Sequence, residues 1–129
     1  IFKSAKSNNT IIFHNSSNHL KIKTLTKKGI ILIKSKLNRE KMFDLGLVLK
    51  KLYILGTRNL LVEGGDEITK NFIKGSFFDK FYLFKSPKKL LSNRKHKVFT
   101  SFSILNKRYK NKSNIGTKLV KDKITIYKR

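Results

Sequence analysis

Leu60-Leu61-Val62-Glu63-Gly64-Gly65-Asp66-Glu67 is the stretch on which the reading of the fold turns. An apolar, strand-like run ends in an acid and two glycines, and a helical pattern begins at once. Open α/β sheets hold phosphates and dinucleotides at such a junction, beyond the carboxyl end of a strand and on the amino end of the next helix. The stretch carries Glu63, Asp66 and Glu67, three of the chain's seven acids, in a protein of formal charge +24. A generic surface loop in so basic a chain would carry lysine.

The flanking pattern supports an α/β reading. Before the junction, Asp44 caps a predicted helix whose Leu45, Val48, Leu49, Leu52 and Leu55 recur at the spacing of an amphipathic stripe, with Gly56 as its stop. Earlier still, Thr10-Ile11-Ile12-Phe13-His14 and Ile30-Ile31-Leu32-Ile33 read as buried strands. Between them residues 18–28 form a weak helix, with Leu20, Ile22 and Leu25 as inner positions and Gly29 as its end. After the junction, a helix over 66–74 turns Ile68, Phe72 and Ile73 inward and stops at Gly75. Phe81-Tyr82-Leu83-Phe84 is a strand, Phe99 to Leu105 and Lys118 to Tyr127 suggest two or three more, and Val120-Lys121-Asp122-Lys123 is a hairpin turn. With residues 60–62 as the third strand the order is β-α-β-α-β-α-β followed by antiparallel strands. The expectation is one domain over residues 1–129, an α/β mixed sheet flanked by helices with an antiparallel finish.

Composition narrows the function. There is no cysteine, so disulfides, thiolate chemistry and cysteine-bound zinc are excluded. No apolar run reaches the roughly 20 residues that span a bilayer. The start, Ile1-Phe2-Lys3-Ser4-Ala5-Lys6, has neither a signal peptide's apolar stretch nor an initiator methionine, and the chain reads as a fragment or processed product of a cytoplasmic protein. A pI near 10.5 points toward nucleic acid or another polyanion. Yet arginine occurs only at Arg39, Arg58, Arg94, Arg108 and Arg129, and Lys, Asn, Ile and Phe are residues of A/T-rich codons. Composition bias with lysines on solvated faces is the preferred reading, and specific nucleic-acid binding is not expected. Even so, such a surface should attract phosphorylated ligands, less so at high salt.

The glycine pair has a definite mechanical use. Without Cβ atoms, Gly64 and Gly65 let a ligand approach the backbone. The first turn of the helix leaves N–H groups without intrahelical partners, and its dipole favours an anion. Thr69 adds a hydroxyl one turn in. Asp66 and Glu67 suit the first turn but would repel a phosphate, so they are expected to face outward or to meet ribose hydroxyls. The motif is neither G-x-G-x-x-G nor a P-loop. A tight strand-to-helix turn with a capping acid explains the same residues without any ligand.

Leu52-Tyr53-Ile54-Leu55-Gly56, Asn59 through Gly65, Asn71 through Phe84 and Ser86-Pro87-Lys88 together resemble the carboxyl-terminal half of a riboflavin-biosynthesis reductase domain. The resemblance is best over residues 44–92. It implies a dihydrofolate-reductase-like fold and reduction, with NADPH, of the ribosyl group of 5-amino-6-(5-phosphoribosylamino)uracil to ribityl. In bacteria this domain commonly follows a zinc-dependent pyrimidine deaminase domain, and the family is generally oligomeric. By resemblance, Glu63 contacts the phosphorylated pyrimidine substrate. Gly64, Gly65, Asp66, Glu67, Ile68, Thr69, Lys70 and Asn71 form the helix start that holds the NADPH phosphates. The family domain is longer than this chain, and its first half carries most phosphate and ribose contacts, so the isolated chain is expected not to turn over. The alternative is a basic RNA-binding module of the ribosomal-protein kind.

Other residues carry less. His14 ends a strand, and His19 and His96 stand in polar or basic surroundings, so no metal site is expected. Glu63, Asp66 and Glu67 could act as paired carboxylates, but capping accounts for them equally. For nucleic acid, Lys88 through Lys97 and Arg108-Tyr109-Lys110-Asn111-Lys112 are candidate contacts, though one tyrosine does not make a stacking platform.

Overall fold

The structure is a computed structural model that describes residues 10–87, 100–116 and 121–129. The basic loop 88–97 and residues 117–120 of the expected hairpin lie outside the described residues. The chain divides into two compact units, residues 1–58 and 59–129.

The first unit is a β-α-β element followed by a helix. Strand β1 (Ile11–His14) pairs in parallel with β2 (Ile31–Lys34), Ile11 opposite Ile31 and His14 opposite Lys34. A parallel pair needs a crossover, and α1 (His19–Lys27) supplies it. Asn18 starts that helix by accepting the Lys21 N–H at 2.9 Å. At its other end the Gly29 and Ile30 N–H groups bond back to Thr26 and Leu25 with Gly29 at φ 72°, a Schellman ending. Ile22 and Leu25 are half-buried as expected, but Leu20 is exposed, because it falls on the solvent side of a helix only nine residues long.

Helix α2 (Leu45–Ile54) matches its sequence signal closely. The Asp44 carboxylate accepts the Leu47 N–H at 3.1 Å, and Leu45, Val48, Leu49 and Leu52 are half-buried. The Gly56 and Thr57 N–H groups close the end onto Tyr53 and Leu52, with Gly56 at φ 93°. Leu55 caps the helix and is exposed.

The second unit packs two helices against a three-stranded sheet. Its elements are α3 (Asp66–Gly75), β3 (Lys80–Lys85), α4 (Phe102–Arg108), β4 (Lys112–Ile115) and β5 (Lys123–Lys128). The strand order is β3-β5-β4 with both pairings antiparallel. Ile73, Leu105, Tyr109 and Tyr127 form the buried centre, with Phe78, Phe81, Leu83 and Ile104 packed on it. The Phe78 ring lies 4.8 Å from that of Tyr109 and 5.8 Å from that of Phe81. Burial raises the Tyr127 phenol above its ordinary value, and its hydroxyl donates to Asn106 Oδ1 at 2.7 Å.

Three sequence expectations change here. Residues 60–62 do not form a strand: Leu60, Leu61 and Val62 are exposed, and no described strand supplies their backbone partners. Residues 102–105 are helical rather than extended. Ser101, Leu105 and Tyr109 are buried at a spacing of four, which places them on one helix face. Tyr109, read as part of a basic surface patch, is a core residue that ends α4.

Candidate functional site

The glycine pair and the start of α3 fall within the second unit. Gly65 is the N-cap, at φ −72° and ψ 174°, an extended conformation open to any residue. Its lack of a side chain therefore matters for space and not for backbone geometry. A Cβ built on Gly65 meets nothing within 4 Å among the described residues, so the approach to the first turn is clear. At Gly64 the situation differs. A Cβ there would come within 3.1 Å of Ile68 Cβ and 3.2 Å of Ile68 Cγ2, so this glycine lets the entering chain close down on the helix.

No side chain caps α3. The Gly65 carbonyl accepts the Thr69 N–H at 3.2 Å, while the preceding N–H groups of the first turn face the end of the helix. Asp66 and Glu67 lie in that turn, where a negative charge complements the dipole. Asp66 is engaged: Thr100 donates its N–H at 3.2 Å and its hydroxyl at 2.7 Å to the two carboxylate oxygens. These bonds fix where the Asp66 carboxylate sits, while its negative charge remains. Glu67 is exposed, as expected of an outward-facing acid. Thr69, Lys70 and Asn71 are half-buried, whereas Ile68, expected to point inward, is 48% exposed beneath Gly64.

Glu63 is exposed on an extended segment rather than at a strand end. Its carboxylate has no partner among the described residues and is available to a ligand. The sequence pattern does not point to Thr100, because Phe99 to Leu105 reads as a strand. The usable signal was Thr100-Ser101 directly before an apolar run at helical spacing.

The far end of α3 is fixed firmly. Ser76 takes a left-handed conformation, φ 54°, and the Phe77 N–H bonds to Phe72 O at 3.0 Å. Tyr109 donates to Ile73 O at 2.8 Å, Arg108 to Lys74 O at 2.6 Å and Arg129 to Ser76 O at 3.0 Å. Two of these donors are cationic, which suits the negative end of the dipole. The closing carbonyls of the helix are thus fixed by distant donors, while at its start Thr100 holds the Asp66 side chain and no side chain caps the first N–H groups.

The remaining candidates resolve into structural roles or stay outside the site. His14 accepts the Ser16 N–H at 3.3 Å through Nδ1, a turn contact at the end of β1. Among the described residues no group of three or more His, Cys, Asp or Glu could hold a metal, and no helix is long and apolar enough to cross a membrane. His96 lies outside the described residues.

A parallel β-α-β element, an antiparallel finish and a glycine-opened helix start make this an α/β protein with mixed sheets and helices, as the dihydrofolate-reductase-like fold requires. The family comparison agrees and is more particular: the RibD C-terminal domain matches residues 1–121. The chain belongs to that family, the reductase domain of the riboflavin deaminase-reductase. Membership supports a reductase-type function in riboflavin biosynthesis. No curated protein matches the sequence.

Proposed function

We propose that this chain takes part in the NADPH-dependent reduction of the ribosyl group of 5-amino-6-(5-phosphoribosylamino)uracil to ribityl. The observation that carries the reading is the clear space over Gly65 at the uncapped start of α3. Open space over the Gly65 backbone, beside helix N–H groups without intrahelical partners, leaves room for a pyrophosphate. Gly64, Gly65 and the N–H groups of Asp66, Glu67 and Ile68, which precede the first intrahelical bond, would hold the NADPH phosphates, with the side chains of Thr69, Lys70 and Asn71 beside them. Thr100 draws the Asp66 charge aside, and the lysine-rich surface would attract both cofactor and substrate. Glu63 would accept hydrogen bonds from the substrate's heterocycle or sugar. NADPH, when bound, supplies the hydride, and a proton completes the reduction. The chain's own part is to bind and orient. A cytoplasmic, oligomeric enzyme with a deaminase domain upstream fits this role.

Gly65→Val tests the placement in the full-length protein. The side chain enters empty space and φ is ordinary, so the variant should fold, with a loss of about 1 kcal/mol or less because valine is a poorer N-cap residue than glycine. NADPH affinity, measured by calorimetric titration, should fall at least about tenfold, which is roughly one lost phosphate contact. An unchanged affinity in a folded variant refutes the phosphate site at Gly65.

A further inference from the structure

The second unit's sheet has two unlike faces. Phe81, Leu83 and Tyr127 face the buried centre. The alternate residues form the other face: Lys80, Tyr82 and Phe84 on β3, Lys128, Ile126 and Ile124 opposite them on β5, and Ser113 and Ile115 on β4. Tyr82 is 46% exposed, Phe84 69% and Ile115 43%, large values for aromatic and branched apolar groups in a sheet. Lys80 and Lys128 stand opposite one another at one end; the residues of the three described strands on this face include no acid, and Asp122 precedes β5 at the other end.

We propose that this face binds single-stranded nucleic acid, with unstacked bases lying on Tyr82 and Phe84 and the backbone phosphates running past Lys80 and Lys128. Two aromatics at i and i+2 on one strand stand about 7 Å apart, so each can take its own base. Sheet-based RNA-binding modules recognise unpaired bases through exposed aromatics in the same way. The sequence alone suggested no stacking platform, because Phe81-Tyr82-Leu83-Phe84 reads as one apolar run. The pairing register separates the run into a buried pair and an exposed pair. The formal charge of +24 of the whole chain supplies long-range attraction for a polyanion, and Tyr82 and Phe84 offer flat faces to its bases. Stacking is tolerant of sequence, so no base-specific readout is implied.

The test is fluorescence anisotropy of the protein with a labelled twelve-nucleotide oligouridylate, its thymidylate counterpart and inorganic polyphosphate of similar charge. Tyr82→Ala/Phe84→Ala should weaken both oligonucleotides at least about 30-fold, since each stacked base contributes roughly fivefold or more. Polyphosphate binding should stay within about twofold. Lys80→Ala/Lys128→Ala should lower the salt slope of oligonucleotide binding by about 1.4. Both pairs are exposed, and circular dichroism checks that the variants stay folded. Equal loss for oligonucleotides and polyphosphate, or no loss for either, overturns the proposal. So does a wild-type dimer that the aromatic substitutions convert to monomer without altering oligonucleotide binding, since a second copy would then cover the face.

Discussion

Replacing Tyr109 with phenylalanine isolates what its hydroxyl contributes to the helix that carries the glycine pair. That hydroxyl donates to Ile73 O at 2.8 Å and meets Ser76 Oγ at 2.9 Å. The Ile73 carbonyl would keep one partner, the Ser76 N–H at 3.2 Å, and the half-buried Ser76 hydroxyl could turn toward water. Neither group is fully orphaned, so the loss should fall at the low end of the range for a buried hydrogen bond, about 1 kcal/mol. Tyr109→Ala removes the ring as well. That ring is 6% exposed and packs 4.8 Å from Phe78, so the cost should rise to about 3–5 kcal/mol. Urea denaturation with a common slope reads both values. If phenylalanine costs as much as alanine, the ring does not fill the core as described. If it costs nothing, the hydroxyl does not anchor α3.

Two further outcomes follow from the same unit. Asp66→Ala should cost about 1 kcal/mol by removing the acceptor for Thr100, and the Thr100 amide should lose protection from hydrogen exchange; an unaltered exchange rate would show that the contact does not form in solution. Alkaline titration should destabilise the fold through Tyr127. Its folded-state value is raised, so its contribution is fully present below the unfolded value near 10 and is lost as pH rises through the higher folded value. Tyr127→Phe should flatten that loss above about pH 10, and an identical alkaline profile in the variant would count against it.

The sequence revealed most where a local rule decides the structure. Asn18 and Asp44 cap helices because their side chains reach N–H groups three residues on, and Gly29 and Gly56 end them by taking positive φ. These are contacts within one turn. Residues 60–62 illustrate the opposite case. Their apolar run is compatible with a strand, but strand formation depends on a distant partner that the run does not specify. The stretch Phe99 to Leu105 misleads for another reason. Phe102, Ile104 and Leu105 fit either period over so short a window, and only the burial of Ser101, Leu105 and Tyr109 chooses the helix. The start of α3 behind the glycine pair was legible for the same local reason. Its neighbour Thr100 was not, because it reaches Asp66 across 34 residues. The exposed aromatics of β3 were hidden for a similar reason, since their orientation depends on pairing with β5.

The anchors of α3 also set an order of assembly. Its closing carbonyls find donors 34, 36 and 53 residues further along the chain. A helix of ten residues is marginal in water by itself. During synthesis at about 5–20 residues per second, several seconds separate the emergence of Ser76 from that of Arg129. For that interval Phe72 and Ile73 lack the neighbours that later bury them. The far end of α3 is therefore steadied late, and the nascent chain carries that helix's apolar face through a window in which a chaperone can hold it.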